Sequence, residues 1–284
     1  DRHPGAARWR RALPRWRDTM RLGAAIDTRF AASAPEFMEH TTDLGLDHVG
    51  FNREYLAGRP ETPDAETPGA LAEDYGVTLT LHAPFRTRNV GSLDETARCN
   101  PVRRVKRPPD DAATAETGAV VAHDGSVPER CPGRVRDRAA EHTVILPEEC
   151  ATHTERVGVP LCLENQPPDD TDRRYTTTPS DLARTLDAVD ADPAVLGVTL
   201  DVEHAKIAGA EWRAVVDRFG DRSRVYHLHD NDGTADQHRP LQAYEPPLAD
   251  IPADHASFET KRVRDTAACL GATNQPTTPS PTDA

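Results

Sequence analysis

Four short apolar runs in this sequence end on residue types that bind metal ions or transfer protons. The runs are GVTLTLHAP, VPLCLENQP, LGVTLDVEH and RVYHLHDND, and the residues are His82, Glu164, Asp201, His204, His227 and His229. A β-strand that stops on such a residue places the side chain at the C-terminal end of the strand. In a parallel barrel all of these ends meet at one mouth. The pattern therefore predicts a fold and a site together.

Glu164 carries the strongest single indication of chemistry. It ends the run Val-Pro-Leu-Cys-Leu, where a carboxylate would be buried unless it is paired or bound to a metal ion. Asn165 follows it, and its amide can orient a carboxylate or bind a substrate hydroxyl. The alternative is an exposed glutamate just beyond the end of a strand.

Two further pairs supply carboxylate and imidazole groups. Asp201 ends its strand, and the chain then turns so that His204 can face the same cavity; this donor set suits Mn, Mg, Zn or Co. His227 and His229 flank one leucine and therefore face the same side of a strand. We expect His227 to be the inner metal ligand, with His229 as an alternative ligand or as its support. The alternatives are an aspartate that only caps a helix and two histidines that only pack inside the barrel.

Four more polar residues occupy equivalent positions. His82 and His123 end the third and fourth predicted strands, and Asp236 and His238 follow the seventh strand in the sequence DQH. We expect these four side chains to bind substrate at the mouth of the barrel. The alternative is that the histidines are core or surface groups and that DQH lies in a solvated loop.

From Met20 onward, strand-like runs alternate with segments of helical length, which favours a (β/α)8 TIM barrel over a doubly wound sheet. No glycine-rich dinucleotide-binding loop follows the first strand. The predicted strands are 22–28, 47–51, 77–82, 119–123, 159–164, 196–201 and 224–229. The predicted helices are 35–44, 68–75, 92–107, 135–157, 179–191 and 211–219.

The end of the chain does not follow this pattern, because no eighth strand is identified after Pro240. Residues 241–284 are rich in Pro, Thr, Asp and Ala. Within the barrel, Pro147 interrupts the helix 135–157, and two prolines end the helix 92–107. We therefore predict a flexible basic leader over 1–19, a barrel domain over 20–260 and a disordered tail over 261–284.

The composition limits the classes of partner. The chain of 284 residues has a formal net charge of −13, which disfavours binding to nucleic acid because an acidic surface repels phosphate backbones. Its five cysteines include no C-x-x-C pair, which argues against a disulfide framework or a zinc ribbon. No apolar stretch has the length needed to span a membrane. We expect a cytoplasmic protein with a small-molecule substrate.

The segments HAPF, LENQP, GVTLDVEHAKIAG, HLHDNDG and DQH resemble the xylose isomerase-like TIM barrels over roughly Met20 to Leu241. That superfamily holds sugar phosphate isomerases and epimerases as well as apurinic endonucleases of the endonuclease IV type. The resemblance implies one divalent metal ion (Mn, Mg, Co or Zn) held by ligands after strands five to eight. The first three ligands map onto Glu164, Asp201 and His227. Glu164 would also be the catalytic base, and His204 would be the histidine that contacts the substrate or a further metal ion.

The fourth ligand of this pattern, a glutamate after strand eight, has only Glu245 and Glu259 as remote candidates, and neither ends an apolar run. The leading hypothesis is a sugar or sugar-phosphate isomerase or epimerase, compatible with a homo-oligomer. The second is a zinc-dependent apurinic-site phosphodiesterase, for which His82, His123, Asp236 and His238 would supply further zinc ligands. The third is a catalytically impaired barrel that lacks the last metal ligand.

Overall fold

The computed structural model describes residues 20–58, 66–84, 117–241 and 252–273 of the chain. The strands are β1 Arg21–Ile26, β2 His48–Asn52, β3 Thr78–His82, β4 Val120–Ala122, β5 Ser126–Pro128, β6 Leu161–Glu164, β7 Asp172–Arg174, β8 Leu196–Asp201, β9 Ser223–Leu228 and β10 His255–Phe258. The helices are α1 Ala34–Asp43, α2 Arg53–Ala57, α3 Glu66–Tyr75, α4 Gly133–Thr143, α5 Ile145–Val157, α6 Pro179–Asp187, α7 Val202–Ile207, α8 Trp212–Phe219 and α9 Asp265–Thr273.

Eight parallel strands close a barrel in the order β1-β10-β9-β8-β6-β4-β3-β2. The predicted TIM barrel is therefore confirmed. Strands β5 and β7 form a separate two-stranded antiparallel sheet beside the barrel. No helix within the described ranges is long and apolar enough to cross a membrane.

The eighth barrel strand exists, which corrects the prediction made from the sequence. Strand β10 pairs in parallel with β1 on one side and with β9 on the other, where Ser257 lies opposite His227. The strand is only four residues long and reads His-Ala-Ser-Phe, so its apolar character is too weak to identify from sequence. Its pairing on both sides nevertheless satisfies the backbone and buries Ala256, Ser257 and Phe258.

The folded part of the chain also continues past residue 260. Helix α9 follows β10 and places Thr266 and Cys269 in the interior, so the prediction of a disordered tail from residue 261 is wrong for this segment. Residues 1–19 and 274–284 lie outside the described part of the chain, as do the predicted helix 92–107 and Glu245.

Local sequence signals set the helix boundaries. Helix α1 begins at a capping box in which Ser33 and Glu36 exchange hydrogen bonds, and α6 begins at an equivalent box made by Thr178 and Asp181. The predicted helix 135–157 is two helices that meet at Val144. Pro147 lies in the first turn of α5, where the missing N–H of proline is tolerated.

Apolar side chains of the described residues form three clusters, of which the smallest is Val127, Ala139 and Tyr175. The main core lies between the strands and the surrounding helices. A smaller cluster of Ala119, Val121, Cys162 and Val225 comes from alternate positions of their strands, which places these side chains inside the barrel. Cys162 is fully buried, as predicted, and burial raises the pKa of its thiol to about 12.

Two histidines lie inside the barrel near the N-terminal ends of the strands. The rings of His48 and His255 are 4.7 Å apart between centroids, and His48 contacts the hydroxyls of Thr78 and Thr80 at 3.0 and 3.2 Å. Gly23 must lack a side chain, because a Cβ there would overlap the carbonyl of His48. Burial, together with the neighbouring His255, lowers the pKa of His48 well below its usual value.

This buried neutral histidine should make stability depend on pH. Below pH about 6.5 the unfolded chain binds a proton on His48 that the folded chain does not, so the free energy of unfolding should fall as the pH is lowered from about 6.5 to about 5. We expect His48→Gln to reduce this slope by up to about 1.4 kcal/mol per pH unit. Urea unfolding at several pH values measures it, and an unchanged slope would contradict the assignment.

Candidate active site

One cavity opens at the C-terminal ends of the barrel strands. Its volume is about 300 Å³, and its lining combines residues of β1, β2, β3, β4, β6 and β9 with segments that follow the barrel strands, including β10. Eight of its lining residues are candidates from the sequence, namely His82, His123, Glu164, His204, His227, Asp236, His238 and Glu259. Asn165, Asp201 and His229 are buried directly behind this lining.

Glu164 lies at the centre of the cluster and is 2% exposed. Its Oε2 atom is 3.1 Å from Nε2 of His82 and 3.0 Å from Nε2 of His123. Its Oε1 atom is 3.2 Å from Nδ1 of His227. The two carboxylate oxygens therefore face different histidines, which come from different strands.

Glu259 completes the ring of ligand-type residues. It directly follows β10, and its Oε1 atom lies 3.4 Å from the same Nδ1 atom of His227 that Glu164 approaches. Its Oε2 atom lies 3.8 Å from Nδ1 of His238. The sequence expectation that no glutamate ends the eighth strand is thus wrong, because the short β10 places Glu259 at the barrel mouth.

Asp201 organises the other side of the cluster. Its Oδ2 atom is 2.9 Å from Nε2 of His229 and 3.5 Å from Nδ1 of His204. Its Oδ1 atom accepts a hydrogen bond from the backbone N–H of His204 and so caps helix α7. The same carboxylate therefore caps helix α7 and contacts His204, which lines the cavity.

The DQH segment also reaches the cluster. Asp236 Oδ2 lies 3.1 Å from Nε2 of His238 and 3.5 Å from Nε2 of His204, and Asp236 Oδ1 lies 3.9 Å from Nε2 of His229. Among the described residues, His238 is the one non-glycine residue with positive φ, at 47°. Such a backbone conformation costs roughly 1 kcal/mol or more and is often kept where function requires it.

Asn165, expected to orient a carboxylate or to bind a substrate hydroxyl, lies outside the cavity lining. It is 4% exposed, and both atoms of its amide are hydrogen bonded to the backbone of Asp201. The structure thus puts Asn165 behind the candidate ligands, where it can orient them, and away from the cavity surface.

The electrostatics of the site are those of buried carboxylates balanced by imidazolium groups. Burial alone would raise the pKa of Glu164, but the charge of His227 and the hydrogen bond from His123 hold it well below its usual value. Burial alone would lower the pKa of His227, but Glu259 and Glu164 outweigh burial and raise it to about 9.

The same balance holds around Asp201. Burial would lower the pKa of His204, but the carboxylates of Asp201, Asp236 and Glu164 raise it to about 10. The pKa of Asp201 is lowered in turn, because His204 and His229 outweigh the effect of burial. In the absence of another cation, protons on His204 and His227 supply the positive charge that these carboxylates require.

The donor set fits one or more divalent metal ions. Ligand atoms of Glu164, Asp201 and His227 lie within 4.8 Å of one another, and three further groups of the same kind overlap with this one. The additional groups are His82–His123–Glu164, Asp201–His204–His229 and His229–Asp236–His238. Nε2 of His204 and Oδ1 of Asp236 are buried without a hydrogen-bond partner in the described part of the chain, which a metal ion would remedy.

Several residues of the cavity were not identified from the sequence. Asp27 and Arg29 follow β1 and form a two-point ion pair, with Arg29 Nε 2.6 Å from Asp27 Oδ1 and Nη2 2.9 Å from Oδ2. Lys261, two residues after Glu259, also lines the cavity. Asp27 ends the apolar run Gly-Ala-Ala-Ile, so the strand-terminal signal that selected Glu164 could also have selected it.

Comparison with known proteins gives matches for both sequence and fold. The family model described as xylose isomerase-like TIM barrel matches residues 38–253. An uncharacterized protein of Methanocaldococcus jannaschii is 30% identical over 170 residues, which cover 59% of this chain and 56% of that protein. The chain thus matches little more than half the length of this curated relative.

Two crystal structures illustrate the similarity in fold. A D-tagatose 3-epimerase-like protein has a TM-score of 0.74 and 22% identity, covering 89% of this chain and 94% of its own. D-psicose 3-epimerase in the presence of D-fructose has a TM-score of 0.69 and 16% identity, covering 89% of this chain and 96% of its own. At these identities the similarity shows a shared fold.

Metal binding should stabilise the folded protein. We expect Mn²⁺, Co²⁺ or Zn²⁺ at about 100 times the dissociation constant to raise the Tm by roughly 5 °C or more, since binding to the folded state alone contributes about 2.7 kcal/mol. Glu164→Gln should remove most of this shift, whereas Glu203→Gln, a nearby carboxylate outside the four groups, should keep it. Thermal unfolding with and without a chelator measures the shift. Equal shifts in the two variants would show that Glu164 is not a ligand.

Proposed function

Because the chain belongs to the xylose isomerase-like TIM barrel family, we propose that it is a divalent-metal-dependent isomerase or epimerase of a sugar or sugar phosphate. The reaction would move a proton on a carbon next to a carbonyl group. The observation that carries this proposal is that Glu164 and Glu259, at the ends of β6 and β10, approach the same nitrogen of His227 and line the same cavity.

The proposal gives each of these residues a role. Glu164, Asp201, His227 and Glu259 would hold the ion, which would act as a Lewis acid on the sugar carbonyl. Glu164 would be the base, because its lowered pKa keeps it at neutral pH in the ionised form that can accept a proton. Glu259, which approaches the same nitrogen of His227, would exchange the proton on the other face of the same carbon. His204, which lines the cavity, would contact the substrate.

The size and charge of the site also favour a small polar substrate. A cavity of about 300 Å³ lies at the lower end of the range for small-molecule sites. The structurally similar proteins include two described as sugar 3-epimerases or similar to them, which supports a ketose as the first substrate class to test. We infer Mn, Mg, Co or Zn as the ion and, from the acidic composition, a cytoplasmic enzyme.

Hydrogen exchange tests this function even while the sugar is unidentified. The metal-loaded protein should incorporate deuterium from D₂O next to the carbonyl of at least one ketose or ketose phosphate in a panel. Glu164→Gln and Glu259→Gln should each slow exchange by about 10²-fold or more, because each removes one acid–base group. Glu203→Gln serves as the control and should exchange at the rate of the unaltered protein. NMR of the sugar follows the exchange, and its absence across the whole panel with every metal would contradict the proposal.

A second candidate, a metal-dependent phosphodiesterase acting at abasic sites, has one specific observation in its favour. The Oε2 atom of Glu164 faces His82 and His123, whereas its Oε1 atom faces His227, an arrangement suited to a carboxylate that bridges two ions. Asp236 and His238 belong to a further group with His229. A site with several ions can stabilise both the attacking and the leaving oxygen of a phosphodiester. The third hypothesis was an impaired barrel that lacks the last metal ligand. Strand β10 and Glu259 are both present, so this reason for the hypothesis no longer holds.

The number of bound ions separates the two candidates. One Mn, Mg, Co or Zn ion per chain is expected for the isomerase, and three zinc ions per chain for the phosphodiesterase. Elemental analysis of the purified protein, followed by incubation with duplex DNA containing one abasic site, provides the measurement. Cleavage of that duplex, with an undamaged duplex left intact over a range of salt concentrations, would select the second candidate.

A further inference from the structure

The side chain of Asn165 extends the hydrogen bonding between β6 and β8 beyond the last paired residues of the two strands. Strands β6 and β8 pair in parallel up to Glu164, which lies opposite Thr199. One residue later, Oδ1 of Asn165 accepts the backbone N–H of Asp201 at 2.8 Å, and Nδ2 of Asn165 donates to the backbone carbonyl of Asp201 at 2.8 Å. The amide thus forms the two hydrogen bonds that a neighbouring strand would otherwise supply.

The main chain of Asn165 holds a second candidate ligand. Its carbonyl oxygen lies 2.8 Å from Nδ1 of His204. Because a carbonyl can only accept a hydrogen bond, Nδ1 must carry the proton in this contact. The other nitrogen, Nε2, then faces the cavity, 3.5 Å from Asp236 Oδ2. Metal-binding histidines are commonly oriented in this way, by a hydrogen bond from the nitrogen that does not bind the ion.

We propose that Asn165 is a positioning residue that fixes the backbone of Asp201 and the ring of His204 for metal binding. The proposal rests on the metal dependence of the proposed function, and Asn165 itself lies behind the cavity lining. Asn165 joins the end of β6, which supplies Glu164, to the end of β8, which supplies Asp201. It therefore sets the position of one carboxylate relative to the other.

The chemistry of the contact explains why the residue is asparagine. The backbone of Asp201 presents one donor and one acceptor, and a side-chain amide presents the complementary pair at the same spacing. An aspartate at position 165 could still accept from the N–H of Asp201, but it would set a carboxylate oxygen against the carbonyl. At 4% exposure, water has little access to replace the lost hydrogen bond.

Asn231 provides a matched control. It is also 4% exposed, its Nδ2 donates to the carbonyl of Glu203 at 3.1 Å, and its Oδ1 accepts the N–H of Gly233 at 2.8 Å. Asn231→Asp therefore makes the same chemical change as Asn165→Asp, in an amide that holds neither Asp201 nor His204. Asn165→Ala, a neutral variant, covers the case in which the aspartate variant does not fold.

Cobalt binding is the measurement, because Co²⁺ reports both affinity and ligand geometry through its visible absorption. The full chain, freed of metal by a chelator, is titrated with Co²⁺, and folding of each variant is checked by thermal unfolding. We expect Asn165→Asp and Asn165→Ala to weaken cobalt binding by about 10-fold or more and to change the visible spectrum. Asn231→Asp should bind within about 2-fold of the unaltered protein.

The outcomes separate this proposal from the proposed function. Unaltered cobalt affinity and spectrum in folded Asn165 variants would overturn the positioning role alone. Weakened binding in Asn165→Asp and Asn231→Asp alike would also overturn it, because the effect would then be a general loss of stability. Weakened binding in the Asn165 variants alone, together with no sugar exchange by the metal-loaded unaltered protein, would overturn the isomerase proposal and leave the positioning role in place. Failure of the unaltered chain to bind Co²⁺ would overturn both.

Discussion

The folded structure depends on neutralising the negative charge of one buried carboxylate, that of Glu164. Glu164 is almost fully buried, and an ionised carboxylate in that position is tolerated only with partners of opposite charge or strong donors. Its three histidine partners lie at or just after the ends of β3, β4 and β9, so the barrel must close with all of these strands in register. The charge of Glu164 is thus neutralised only when the barrel is closed.

Much of this arrangement could be predicted from the sequence, because it follows from strand ends. The runs that end on Glu164 and Asp201 are wholly buried strands, and parallel closure brings their last residues together. Strand β10 could not be predicted in the same way, because its stability comes from pairing with β1 and β9, and its own residues show little apolar pattern. Glu259 was consequently seen as an isolated glutamate, although it occupies the position equivalent to Glu164.

The role of Asn165 shows a different limit of sequence reasoning. Residue type and position indicated an amide beside the site, which is correct, but not the direction in which the amide points. That direction depends on how far β8 extends beyond β6, a property of the closed barrel. A residue that supports a metal ligand and a residue that contacts substrate give the same sequence signal. Only the position of the surrounding backbone shows which of the two roles a residue has.

The raised pKa values of His204 and His227 connect folding with the proposed ion. A histidine whose folded pKa exceeds its unfolded value stabilises the protein fully below about pH 6.5, and this contribution is lost as the pH rises through the folded value, here about 9 to 10. Above that range the carboxylates of Glu164, Asp201 and Glu259 would lose their counter-charges. A divalent ion supplies the same positive charge and must displace protons from any histidine that binds it. Either protons on the histidines or a metal ion can therefore supply the positive charge that the buried carboxylates require. Metal binding at the barrel mouth and the stability of the barrel are linked for this reason.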